Sequence, residues 1–289
     1  MFAFLLLVVT FLLMIYPFYN PDQAGKRESR LSVAVSFYPI YEIVNRVGGE
    51  DVYLKQIIPF GTEPHSFEPT PRDMMEIGNS QLFIYNGLID PWAKSIADSF
   101  PREKSNINLS KYVDIDNNDP HYWLNLENYK KMIVTITEMM SQLNPENSEK
   151  FNANAKRFID EVNSLNTKYQ DGLKECKFDT IIVNHNAFGY LSREYNFNTV
   201  AIMGLSPDEK PSAKKVAEII DTIKERSVKT IFFEELASDS VIQSISSETG
   251  AKVSSLSPLG NIDPEDIDSG FIKLMEINLE RLREALDCQ

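Results

Sequence analysis

Between Glu146 and Lys174 apolar residues recur at helical spacing: Phe151, Ala155, Phe158, Ile159, Val162, Leu165, Tyr169 and Leu173. The run holds no proline, and its glycine, Gly172, lies near its end. One unbroken helix of this kind is about 40 Å long at 1.5 Å per residue. On either side the pattern switches between short β-type runs and helical runs. The long helix therefore reads as a rigid connector between two regions of one kind.

Upstream, strands are expected at Leu31–Phe37, Val52–Ile58 and Gln81–Tyr85. Helices are expected at Ile40–Val47, Pro71–Ser80, Pro91–Ser99 and Leu126–Leu143. Gly48 and Gly49 end the first helix, and Pro71 with Asp73 opens the second as a helix start should. Downstream, strands Thr180–Val183, Asn198–Ile202, Thr230–Phe233 and Lys252–Leu256 alternate with helices Phe188–Tyr195, Ala213–Arg226, Ser238–Thr249 and Asp268–Leu286. Such alternation predicts parallel sheets covered by helices on both faces. The expected architecture is α/β: two similar lobes with parallel-rich sheets, residues 31–143 and 178–289, joined by one long helix within 144–177. Ligands of open α/β sheets bind beyond the carboxyl ends of the strands. A site in the cleft between the lobes follows.

Residues 1–30 are a separate object. Met1–Tyr19 is apolar apart from Thr10 and Pro17, and about 20 residues cross a bilayer as a helix. The run is a minimal span or a long signal core, without a basic start or a small-x-small cleavage site. Lys26, Arg27 and Arg30 follow it, which by the positive-inside tendency would leave the chain in the cytoplasm, but Asp22 and Glu28 dilute that flank. An uncleaved anchor with the remainder outside the cytoplasm is expected, followed by a tether, Asn20–Arg30; cleavage stays open. No cysteine follows closely, so a lipidated N-terminal cysteine is not expected.

The chain carries 42 acidic and 29 basic residues, a net charge of −13. This argues against nucleic acid as a partner and fits a protein that attracts cations. Cys176 and Cys288 are its two cysteines. They permit one disulfide in an exported protein, but nothing in the sequence measures their separation, and two free thiols are the expected state. They lack metal-site spacing.

There are three histidines. His65 lies in Glu-Pro-His-Ser-Phe-Glu-Pro, His121 in Asp-Pro-His-Tyr-Trp-Leu, and His185 in Val-Asn-His-Asn-Ala-Phe-Gly-Tyr. Spacings of 56 and 64 residues exclude a local finger. His65 follows the strand at 52–58, His185 follows Val183 by two residues, and His121 precedes the helix at Leu126. All three are expected on loops between sheet and helix, with the cleft between the lobes as their natural meeting place, the alternative being three unrelated structural histidines. Neutral imidazole suits zinc.

Several segments in order carry a family resemblance: Glu-Pro-His-Ser-Phe-Glu-Pro-Thr-Pro-Arg-Asp, Leu-Phe-Ile-Tyr-Asn-Gly, Asp-Pro-His-Tyr-Trp-Leu, His-Asn-Ala-Phe-Gly-Tyr-Leu, Ile-Phe-Phe-Glu-Glu and Glu-Thr-Gly-Ala-Lys-Val. From about Leu31 to Leu286 the chain resembles the ZnuA/TroA-type metal-binding proteins of zinc and manganese ABC importers. The resemblance implies two α/β lobes on one long helix, an ion in the cleft and delivery to a membrane permease by a monomer that is not an enzyme. It places His65, His121 and His185 at the family's three nitrogen-ligand positions. The third is often Glu in manganese-type members, so His185 implies Zn(II) as cargo over Mn(II).

The chain departs from the family at the fourth position. An Asp in a Leu-Asp-Pro-type segment is common there, and here the segment reads Leu256-Ser257-Pro258. The fourth ligand is then Glu63 or a water, with Asp263 and Glu265 as further acidic candidates. Asp119-Pro120 fixes the His121 loop. Trp92 and Trp123 read as packing residues, with Trp123 a candidate wall of the pocket. Asn184 or Asn186 are candidate orienters of an imidazole, and Glu234 and Glu235 follow a strand end near the cleft. No His-rich acidic loop is present. The competing classes are a manganese carrier of the same family, a zinc hydrolase, since three histidines and a water are also a catalytic pattern, and a surface adhesin.

Overall fold

The computed structural model describes residues 30–100, 105–207, 210–234, 240–260 and 262–289. The apolar run at 1–19, nearly all of its tether and Glu235 lie outside them. Among the described residues no helix is long and apolar enough to cross a membrane.

The first lobe holds strands β1 (Leu31–Val35), β2 (Val52–Gln56), β3 (Leu82–Tyr85) and β4 (Ser105–Asn108) in one sheet of order β2-β1-β3-β4. The second holds β5 (Thr180–Val183), β6 (Asn198–Ala201), β7 (Thr230–Phe233) and β8 (Lys252–Ser255) in the order β6-β5-β7-β8. Every pairing is parallel. The two sheets thus share one topology, and in each the order reverses beside its first strand. That reversal point is where such sheets leave a crevice at their carboxyl ends.

Parallel sheets are buried on both faces, and the strand residues divide by alternation. In β1, Val33 and Val35 enter the large core while Ala34 points into a smaller one with Ile77, Phe83 and Ala93. In the second lobe Ile181 and Val183 enter the same large core, and Ile182 and Ile231 enter a separate one with Ile219, Ile223 and Ile245. The large core is therefore common to both lobes, and each lobe keeps a private core on its outer face.

The helices are α1 (Tyr38–Gly48), α2 (Pro71–Asn79), α3 (Pro91–Ser99), α4 (Leu126–Leu143), α5 (Ser148–Gly172), α6 (Gly189–Glu194), α7 (Ala213–Arg226), α8 (Ser240–Thr249) and α9 (Gly270–Leu286). The long connector is α5, of 25 residues. Its buried stripe, Phe151, Ala155, Phe158, Val162, Leu165 and Tyr169, follows the helical period and lies in the shared core. The closing helix, α9, also joins the lobes. Phe271 stacks on Tyr129 of α4 at 3.8 Å between centroids, and Tyr169 donates to the Met275 carbonyl at 2.7 Å. The Phe271 amide donates to Glu42 of α1 at 3.3 Å. Gly270 is required there: its φ is +72°, and a Cβ would lie 3.0 Å from the Glu42 carboxylate.

Cys176 and Cys288 form a disulfide, which corrects the expectation of two free thiols. The end of the chain returns antiparallel to residues 175–178 and sets the two cysteines opposite each other. Phe178 N donates to Leu286 O at 3.0 Å, and Gln289 N to Glu175 O at 3.0 Å. With a sequence separation of 112, no local signal in the sequence reports this pairing.

Candidate metal centre

Each histidine is held by a loop with its own local logic. After β2, the chain turns at Pro59–Thr62, where Thr62 N donates to Pro59 O and Gly61 N donates across the cleft to Ile262 O at 3.0 Å. Glu63 then accepts the His65 amide at 3.0 Å. A capping box between Thr70 and Asp73, with Pro71 in the first turn, fixes the start of α2 five residues on. The His121 loop is anchored by β3: Asn86 donates to the Pro120 carbonyl at 3.1 Å and its own carbonyl accepts Tyr122 Oη at 2.9 Å. His121 starts the 3-10 turn Tyr122–Leu124. His185 follows β5, where the pairing with β6 continues past the strands through Met203 N to Asn184 O and Asn186 N to Gly204 O.

These loops bring the three imidazoles into one group. His121 Nε2 lies 3.2 Å from His65 Nε2 and 3.1 Å from His185 Nε2. Two nitrogens on one tetrahedral zinc, each at 2.0–2.1 Å, stand about 3.3 Å apart. His121 and His185 are buried at 1% and 2% exposure, and His65 is half-buried.

The far side of two rings explains their orientation. His121 Nδ1 faces Asp119 Oδ1 at 2.7 Å, and His185 Nδ1 faces Glu234 Oε1. A carboxylate there accepts a hydrogen bond from Nδ1–H, so each of these two rings is the tautomer whose Nε2 carries a lone pair. The Nε2 lone pairs of His121 and His185, 3.1 Å apart, repel one another unless a cation or a proton sits between them. Burial and the two neighbouring imidazoles push His65 down to about 3. His121 is also lowered, by burial, although Asp119 opposes the shift. His65 and His121 thus resist protons and stay available to a metal.

A pH dependence follows with a definite sign. Folded, metal-free His65 stays neutral down to about pH 3, whereas in the unfolded chain it takes a proton near about 6.5. The unfolded state binds more protons between these values, so His65 contributes stability that is full above about pH 6.5 and lost as pH falls towards 3. The melting temperature of the metal-free protein is expected to drop across this window, and less steeply in His65→Gln. Parallel profiles for the two proteins would contradict a buried neutral imidazole at His65.

The remaining sequence candidates divide. Trp123 is fully buried; its ring lies 5.2 Å from the His121 ring, and its indole N–H donates to Pro258 O at 2.7 Å. It walls the group and ties it to the second lobe. Ser257 lines the same cavity, but its Oγ accepts the Leu259 amide at 3.2 Å, and buried Asn278 holds its backbone. Gly260 follows because a Cβ would lie 3.2 Å from Trp123. Asn184 is buried and its Nδ2 reaches Glu234 at 3.5 Å; its neighbour Asn186 contributes a backbone bond. Among the described residues, the ligand atoms lying within 4.8 Å of one another are those of the three histidines. Glu63, Asp263 and Glu265 are not in this group, although Glu63 and Asp263 line the cavity. Trp92 belongs to the outer core of the first lobe. The Asp119 carboxylate was missed as a ring partner. Its signal was an Asp two residues before a His.

A family model described as "Zinc-uptake complex component A periplasmic" matches residues 33–285. The chain is 33% identical to the high-affinity zinc uptake system protein ZnuA of Bacillus subtilis, over 91% of this chain and 90% of that protein. It superposes on the Zn(II)-bound ZnuA-like domain of Streptococcus pneumoniae AdcA with a TM-score of 0.80 at 32% identity, covering 89% of this chain and 99% of that one. Against full-length AdcA it spans 58% of the longer protein. The laminin-binding protein Lmb of Streptococcus agalactiae, described as bifunctional with adhesin and metal-transporting activity, gives a TM-score of 0.82 at 31% identity, covering 89% of this chain and 99% of that one.

Proposed function

This chain belongs to the ZnuA family, and we propose that it captures one Zn(II) in the interlobe cleft and hands it to an ABC import permease outside the cytoplasm. The observation that carries the reading is the convergence of three imidazole Nε2 atoms, those of His121 and His185 oriented by carboxylates behind the rings. His65, His121 and His185 are the ligands in this reading. Asp119 and Glu234 orient them, Trp123 shields them, and the fourth position falls to water or to Glu63 after a side-chain rotation. Three nitrogens without a carboxylate in the group favour zinc over manganese. The chain works as a monomer of two lobes, 31–143 and 178–289, on the connector within 144–177, held at the membrane by its N-terminal segment.

Metal analysis of protein purified without added metal is expected to find one zinc per chain, and a competition titration to rank zinc far above manganese. Tighter manganese binding, or a zinc content near zero after incubation with excess zinc, would refute the reading. The hydrolase alternative is separated by turnover. The Asp119 and Glu234 carboxylates are already bound to the rings and Glu63 to a backbone amide, so zinc-loaded protein is expected to hydrolyse esters and peptides no faster than free zinc.

Glu234→Gln tests the orienting role. An amide is a weaker acceptor for the His185 Nδ1 proton, and loss of such a partner typically costs about 10–100-fold in metal affinity. The same range is expected for zinc here, with the stoichiometry unchanged. An affinity equal to wild type would remove Glu234 from the site.

A further inference from the structure

The three histidines occupy one part of a cavity of about 890 Å³. An ion with one or two waters, at about 30 Å³ per water, needs a small fraction of that space. The volume falls in the range of small-molecule sites, about 300–1,000 Å³. The lining beyond the histidines also has the character of such a site. Leu274 and Ile277 of α9 give an apolar wall, Lys210 and Arg281 bring cationic groups, and Asp263 and Asp266 bring carboxylates. Among the described residues the protein offers three clustered ligand atoms, leaving room for an external donor.

We propose that this cavity accepts zinc together with a small amino-carboxylate chelator, of the class of free histidine, as a ternary complex. The proposal rests on reading the three histidines as a zinc site. The chelator's amine, which gives up its proton to bind, and its side-chain nitrogen complete the zinc coordination, and a five-coordinate zinc accommodates both. Its carboxylate is left for Arg281 and Lys210, where a charge-assisted pair is stronger than a neutral one. Its carbon skeleton packs on the apolar wall. Asp263 and Asp266 select against chelators with several carboxylates, such as citrate, by like-charge repulsion.

Zinc alone is titrated first into full-length protein. Failure to bind at this step sinks the three-histidine reading itself and is seen before any chelator is added. With zinc loaded, free histidine is expected to bind one to one by calorimetry, and native mass spectrometry is expected to show protein, zinc and histidine together. Citrate gives no such species, and histidine does not bind the zinc-free protein. The double variant Lys210→Ala, Arg281→Ala is expected to keep zinc affinity within about twofold while weakening histidine binding at least about tenfold, the loss of one charge-assisted contact. Three results would overturn the proposal: histidine that only withdraws zinc from the protein, histidine that binds equally without zinc, or a double variant that retains wild-type histidine affinity.

Discussion

His121→Ala is expected to reduce zinc affinity by about three orders of magnitude, the largest loss of any single substitution in the site. Zinc held by nitrogen and sulfur ligands in small sites is bound by about 10–16 kcal/mol, so a third share corresponds to about 4 kcal/mol. His121 stands between the other two rings: its Nε2 is 3.2 Å from that of His65 and 3.1 Å from that of His185. Removing it leaves the remaining nitrogens without the ligand that both adjoin. It also strips Asp119 of its ring partner. The variant is expected to fold, because it removes the repulsion between the His121 and His185 Nε2 lone pairs in the metal-free state, which offsets part of the lost packing. A competition titration against a chromophoric chelator reads the affinity, and circular dichroism reads the fold. A folded variant within about tenfold of wild type would show that the metal does not sit among these rings.

Cys288→Ser is expected to lower stability by about 4–5 kcal/mol, the chain-entropy value for a loop near 100 residues. The bridge closes a loop of 112 residues, which encloses the whole second sheet. For a chain of this size the drop corresponds to about 7–9 °C in melting temperature. Wild-type protein melted with a reductant should behave as the variant does. Zinc affinity should be nearly unchanged, because Cys176 precedes β5 while His185 follows its opposite, carboxyl end. An unaltered melting temperature on reduction would show that the unfolded chain gains no freedom from opening the loop. The bridge also fits a chain that folds in an oxidising compartment.

Much of the fold was legible in the sequence because its signals are local. Alternating strands and helices, a helical run without proline, and Thr70-Pro71 with Asp73 as a helix start are each decided within a few residues. β4 escaped because Ser-Asn-Ile-Asn buries one side chain fully, Ile107, on an edge strand; such a strand shows no apolar run. The three histidines were legible by their rarity and by their places on loops. What stands behind them was only half legible. Asp119 is two residues from His121, within reach of any close reading, whereas Glu234 lies 49 residues from His185 and meets it through the β5–β7 pairing. The disulfide joins residues even further apart. The size of the cavity depends on how two lobes face each other, which no segment of sequence encodes by itself.

Phe271 against Tyr129, Tyr169 on the Met275 carbonyl and the shared core beneath them bear on time rather than affinity. Lobes joined by a narrow hinge release cargo by swinging apart; lobes fused along a common interior do so only through local shifts of the loops around the cargo. Spontaneous release is then slow, and the lifetime of the loaded state becomes a property of the scaffold. If the chain delivers zinc as proposed, rapid unloading requires an outside agent to deform the loops, and the rate of delivery is then set by the encounter with whatever receives the metal.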